Sequence, residues 1–93
     1  MMFIACVFLN LGMALAQTHV SGVVTSSEDG SPIIGASVKI VGTTSGTVTD
    51  IDGNFALDLE SNKAELEFSY IGMVTKKLKA SEKMQVVLHP DTH

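Results

Sequence analysis

The sequence has no arginine, and its single cysteine, Cys6, falls in an opening stretch, residues 1–16, that carries no charged residue. Each absence excludes something. Without arginine, and with a net charge of −4, the chain lacks the basic footprint of a nucleic-acid binder. It also lacks the planar guanidinium that favours bidentate phosphate recognition. With no cysteine after Cys6, there is neither a disulfide nor a thiolate metal site beyond the opening stretch. No segment shows a sustained 3.6-residue apolar period, so no long amphipathic helix is expected.

The opening stretch, "MMFIACVFLNLGMALA", is apolar almost throughout and ends Ala14-Leu15-Ala16. That is the small-x-small pattern of a cleaved secretory signal, with Gln17 first in the mature chain. No Lys or Arg precedes the apolar run, so it reads as a signal whose basic front is missing. A membrane anchor would need about 20 apolar residues. A lipoprotein box at "FIAC" fits poorly, because the apolar run continues past Cys6 as Val7-Phe8-Leu9. Export without disulfides points to a bacterial envelope protein. The mature chain is small, but domains of about 60 residues fold alone.

After residue 17 the pattern has a period of two. Phe55, Leu57 and Leu59 alternate with Ala56, Asp58 and Glu60; Leu66, Phe68 and Tyr70 alternate with Glu67 and Ser69. Ala36, Val38 and Ile40 share a face, as do Val74 and Leu78, and Met84, Val86 and Leu88. This is the mark of half-buried strands in antiparallel sheets. Turn-forming clusters at Asp29-Gly30-Ser31-Pro32, residues 42–46, Asp52-Gly53-Asn54, Ser61-Asn62-Lys63 and Ser81-Glu82-Lys83 cut the chain into six or seven short strands. These lie near residues 18–25, 35–41, 46–49, 54–59, 64–70, 73–79 and 83–88. The fold class is all-β, a small β-sandwich. The tail "HPDTH" reads as the start of a linker, so the domains are a signal at 1–16, a sandwich at 17–89 and a linker from 90.

The stretch richest in candidate chemistry is "GTTSGTVTDIDGNF". It is not a phosphate loop: Thr47 stands where a Walker lysine is needed, and a strand follows instead of a helix. Asp50, Asp52 and Asn54 have the spacing of the first ligands of a calcium loop. Such a loop then requires Gly and Glu, where this chain has Phe55 and Ser61. The stretch reads instead as strand, turn, strand: Asp52-Gly53-Asn54 makes a turn with positive φ at Gly53, Asp50 accepts backbone N–H groups across it, and Gly42 and Gly46 bracket a second tight connection. His19, His89 and His93 have no metal-ligand spacing. Lys76, Lys77, Lys79 and Lys83 form a basic patch, read as a solvated face or a guarded edge strand. No catalytic residue, metal site or cofactor site is assigned.

The order of these motifs resembles the carboxypeptidase-D regulatory-like domain, in particular the version at the N-terminus of SusC-like TonB-dependent outer-membrane transporters. The resemblance runs through Gly22 to Val24; Asp29, Gly30, Pro32, Ile33 or Ile34, Gly35, Ala36 and Val38; Gly42, Thr43, Gly46, Thr47, Thr49, Asp50, Asp52, Gly53 and Phe55; and Ser69 to Gly72. It implies a seven-stranded transthyretin-like (Ig-like) sandwich on the periplasmic side of a Gram-negative outer membrane, as a module of a glycan or peptide transporter. The implied partners are the plug and barrel of its own full-length transporter and the envelope proteins that energise it, with no nucleic acid and no small-molecule substrate. The sequence stops at His93, where that family continues into a TonB box and plug, so a fragment, a truncated product or a stand-alone copy is expected. Two alternatives are a stand-alone surface or adhesion module and the accessory domain of a secreted carboxypeptidase. No H-x-x-E pair is present to supply the latter's zinc chemistry.

Overall fold

The computed structural model describes residues 18–60 and 63–91. The expected signal peptide, Gln17, Ser61 and Asn62 of the expected Ser61-Asn62-Lys63 turn cluster, and the last two residues of the expected linker lie outside the described residues. Seven strands follow one another: β1 (Thr18–Ser26), β2 (Ser37–Ile40), β3 (Gly46–Val48), β4 (Asn54–Leu59), β5 (Glu65–Ser69), β6 (Lys76–Lys79) and β7 (Lys83–Leu88). They form two sheets, ordered β4-β1-β7 and β3-β2-β5-β6, and the protein is the small all-β sandwich expected from its alternation. One ladder departs from the antiparallel expectation. β1 pairs antiparallel with β4 but parallel with β7, from Ser21↔Lys83 to Ser26↔Leu88. Alternation fixes which face a residue takes, not the direction of its neighbour.

The core lies between the sheets. Val20, Val24, Phe55, Leu59, Met84, Val86 and Leu88 enter from one sheet, and Val38, Leu66 and Phe68 from the other. Ile33 and Ala36 close one end. Burying each large side chain contributes about 1.5–3 kcal/mol relative to leaving it exposed. Phe55 and Phe68 join the sheets edge to face, with ring centroids 5.5 Å apart, a geometry that matches ring edge to ring face electrostatically.

Two residues placed on the core face by alternation alone are out of it. Tyr70 and Val74 are exposed, because both lie outside the strands, on the turn that joins β5 to β6. The sequence left Ile33 and Ile34 interchangeable. Ile33 is buried and Ile34 points to solvent. The lysine patch lies on two edge strands, β6 and β7. Lys76 Nζ donates to the Val87 carbonyl at 2.7 Å, covering a group on the β7 edge that another chain would otherwise pair with.

Candidate functional site

The motif residues from Thr49 to Phe55 gather at the end of the sandwich where β1 and β7 finish and β4 begins. There the segment between β3 and β4 is tied to the segment before β2. Thr49, buried at 3% exposure, is the centre of the tie. Its Oγ1 accepts from the Ala36 N–H (2.8 Å) and donates to the Ile33 carbonyl (2.5 Å). A hydroxyl thus bridges the first carbonyl and fourth N–H of the turn at residues 33–36, where a direct backbone bond ordinarily closes a turn. Thr49 N–H also donates to the Ala36 carbonyl, and Gly35 N–H to the Thr49 carbonyl, both at 3.0 Å.

The turn at 50–54 comes next. Asp50 Oδ1 accepts from the N–H groups of Asp52 (3.0 Å) and Asn54 (2.9 Å). Gly53 N–H donates to the Asp50 carbonyl at 2.9 Å. Gly53 has φ +77, and a β-carbon there would lie 2.6 Å from the Val24 carbonyl oxygen and 2.9 Å from Pro32 Cβ. Only glycine suits a position that is both left-handed and pressed against a neighbouring strand. Its carbonyl accepts from Val24 N–H at 2.8 Å, so the turn is fastened to β1.

Gly42 and Gly46 bracket the β2–β3 connection at the opposite end. Gly42 has φ +85, while a β-carbon at position 46 would press directly against the Val38 carbonyl oxygen. Thr43 supports this loop by donating from Oγ1 to the Ile40 carbonyl at 2.9 Å and accepting from Ser45 N–H at 3.1 Å. The structure therefore brings Asp50, Asp52, Gly53 and Asn54 together and leaves Gly42 and Gly46 apart from them.

Ionisable groups are mostly exposed. Asp29 has its carboxyl held below the ordinary aspartate value by hydrogen bonds from the Ser31 hydroxyl and N–H. His19 Nδ1 and Asp58 Oδ1 sit 2.7 Å apart across the β1–β4 ladder, both in solvent. Among the described residues no group of three or more His, Cys, Asp or Glu side chains converges to hold a metal ion. A notch of about 300 Å³ beside Ile40, Asp58, Leu59 and Ala64 is at the lower bound of small-molecule sites. Within the motif, the side chains of Thr43, Thr49 and Asp50 are spent on backbone partners.

The sequence profile of the CarboxypepD_reg-like domain matches residues 20–92, all of the described sandwich but the first two residues of β1. The chain belongs to the CarboxypepD_reg-like domain family. Curated relatives of this CarboxypepD_reg-like domain include the TonB-dependent receptor SusC of Bacteroides thetaiotaomicron, 39% identical over 92 residues, covering 99% of this chain and 9% of that protein. The TonB-dependent receptor P3 of Formosa agariphila is 43% identical over 77 residues, covering 81% of this chain and 8% of that protein. The chain thus spans less than a tenth of the length of these relatives. In shape the domain is similar to a chain in a type II cohesin–X–dockerin complex from Acetivibrio cellulolyticus (TM-score 0.58, 23% identity, 76% of this chain and 56% of that one), a likeness of fold.

Two features of the domain were missed by sequence reasoning. One is the buried Thr49 hydroxyl, which the sequence shows only as part of a hydroxyl-rich stretch. The other is a set of exposed aliphatics, Ile34, Ile51 and Ile71. The signal for both was present: a threonine in phase with a core face, and isoleucines beside glycine or aspartate where turns favour polar residues.

Proposed function

We propose that this domain is a non-catalytic, periplasm-facing module of a SusC-like TonB-dependent outer-membrane transporter for glycans or peptides. It acts through contact with the plug and barrel of that transporter and with the envelope proteins that energise it. The observation that carries this reading is the similarity to TonB-dependent receptors over the full sandwich. The motif geometry supports it, since Thr49, Asp50 and Gly53 serve backbone groups and none is left as a nucleophile or ligand. In this reading residues 1–16 are an export signal, residues 17–89 the domain and residues 90–93 the start of a linker.

The test is made in the bacterium that encodes the sequence. An antibody against the domain should detect an outer-membrane polypeptide far larger than 9.8 kDa. Its domain should resist added protease in intact cells and be cleaved once the outer membrane is permeabilised. A free small protein, or cleavage in intact cells, would favour a stand-alone surface module. N-terminal sequencing of the mature polypeptide should begin at Gln17, and retention of Met1 would remove the signal peptide from the reading.

A further inference from the structure

Single exposed aliphatic residues are ordinary. Here Ile34, Ile51, Ile71 and Val74, at 55, 74, 88 and 51% exposure, share one end of the sandwich. The ladders place them there. Ser37 pairs with Val48 on one side and Ser69 on the other. The segments that run past those three residues carry Ile34, Ile51 and Ile71 respectively. Each isoleucine occupies the second position of a tight four-residue turn: 33–36, bridged by the Thr49 hydroxyl; 50–53, closed by Gly53 N–H to the Asp50 carbonyl; and 70–73, closed by Met73 N–H to the Tyr70 carbonyl at 3.0 Å. Three apolar turn tips, each fixed by hydrogen bonds, make a preorganised surface whose ordering cost is met in folding and not at the moment of contact.

The chain leaves the fold at this same end. Met73 bridges Pro90, Val74 N–H donates to the His89 carbonyl at 2.8 Å, and Asp91 N–H donates to the Gly72 carbonyl at 2.9 Å. The exit is therefore held next to Ile71 and Val74. In the curated relatives more than nine-tenths of each polypeptide lies outside the matching stretch. The charge around the patch has one predominant sign: Glu28, Asp29, Asp50, Asp52 and Asp91 are exposed on the loops at this end. Lys79 and Lys83 sit towards the other end, opposite Glu65 and Ser21, and Lys76 is engaged with the Val87 carbonyl.

We propose that the Ile34–Ile51–Ile71–Val74 end is a docking surface for the part of the same polypeptide that follows Asp91, met by an apolar face with a basic rim. This rests on the reading of the domain as one module of a longer transporter. Docking there makes the exit a short hinge with a seat beside it, so the domain takes a defined pose on its neighbour.

The test places a photo-cross-linking benzoylphenylalanine at position 51 or 71 of the polypeptide as its own bacterium expresses it, with position 39 or 85, exposed on sheet faces, as controls. Mass spectrometry of the products should map cross-links from 51 and 71 to residues after Asp91 of the same polypeptide, at least tenfold above the controls. The pair Ile51→Asp and Ile71→Asp should abolish the seat and speed protease cleavage just after Asp91 by about tenfold. Cross-links to a second copy, to a different polypeptide, or at control level would overturn the docking surface. The two readings fail differently. A polypeptide whose mass ends at His93 removes the transporter reading, whereas a long polypeptide without these cross-links removes only the docking surface.

Discussion

Gly22 and Phe55 are partners across the β1–β4 ladder, and the Phe55 ring fills the space a side chain at position 22 would need. A β-carbon there would lie 2.8 Å from the ring and 2.5 Å from the Met84 carbonyl oxygen of the other neighbouring strand. The glycine of the G-x-V motif thus lets an aromatic lie over the central strand and reach Phe68 of the opposite sheet. Gly22→Ala should destabilise the protein by about 1–3 kcal/mol through overpacking, measured as a lower urea midpoint. An unchanged midpoint would mean that the ring has room to move aside.

Thr49 offers a cleaner separation of polar from apolar contributions. Thr49→Val keeps the shape and removes the hydroxyl, leaving the Ala36 N–H and Ile33 carbonyl without that partner. Each buried unsatisfied group costs about 1–3 kcal/mol, so a loss of roughly 2–6 kcal/mol is expected for the two together. Thr49→Ser keeps both hydrogen bonds and loses a methyl, at about 1 kcal/mol. Equal losses in the two variants would mean that the hydroxyl bridge contributes nothing to stability.

Gly53 and Gly42 form a matched pair, since both have positive φ but only Gly53 has neighbours where a β-carbon would go. Gly42→Val should cost about 1–3 kcal/mol from backbone strain alone. Gly53→Val should cost more, because Val24 and Pro32 must also give way. The difference between the two urea midpoints reads the crowding directly, and a Gly53 variant no worse than the Gly42 variant would contradict it.

Asp50 separates a turn from a metal loop. Asp50→Ala removes the acceptor for two N–H groups and should cost about 1 kcal/mol. A site with micromolar affinity would add about 4 kcal/mol at millimolar calcium. Melts of wild type and Asp50→Ala, each with calcium and with chelator, should show the mutational loss and no calcium shift. A calcium gain in wild type that disappears in the variant would make the turn a metal site.

Asp29 supplies a pH dependence. Its folded carboxyl is held below the ordinary aspartate value by the Ser31 hydroxyl and N–H. A depressed folded value contributes stability above the ordinary value and loses it as pH falls through the lower one. Carboxyl NMR titration should show Asp29 titrating below the ordinary value in wild type and closer to it in Ser31→Ala. A midpoint unmoved by that substitution would remove Ser31 as the cause.

Strand positions were legible in the sequence because one face of each strand is wet, so residues such as Asp58, Glu67 and Lys39 mark the period of two. Turn positions were legible because Asp50, Gly53 and Asn54 are residues a tight reversal selects. The pairing order was not legible: alternation in β1 and β7 reads the same whichever way they run, and the parallel ladder is a long-range choice made by the whole sandwich. Nor was the choice between Ile33 and Ile34, since one residue of offset before β2 decides it. The isoleucine-bearing end escaped notice for a different reason. Turn chemistry is recognised by its polar residues, and apolar ones at the same tips look like strand.

The parallel pairing of β1 with β7 sets how the protein answers a pull. Thr18 begins β1 at one end of the sandwich, and Leu88 finishes β7 at the other. Tension between the two ends drags these neighbouring strands past each other along their length. The backbone bonds spanning the ladder from Ser21↔Lys83 to Ser26↔Leu88 are then loaded in shear, all together, where a hairpin opened from its tip would unzip one bond at a time. The fold is a mechanical clamp by virtue of its connectivity.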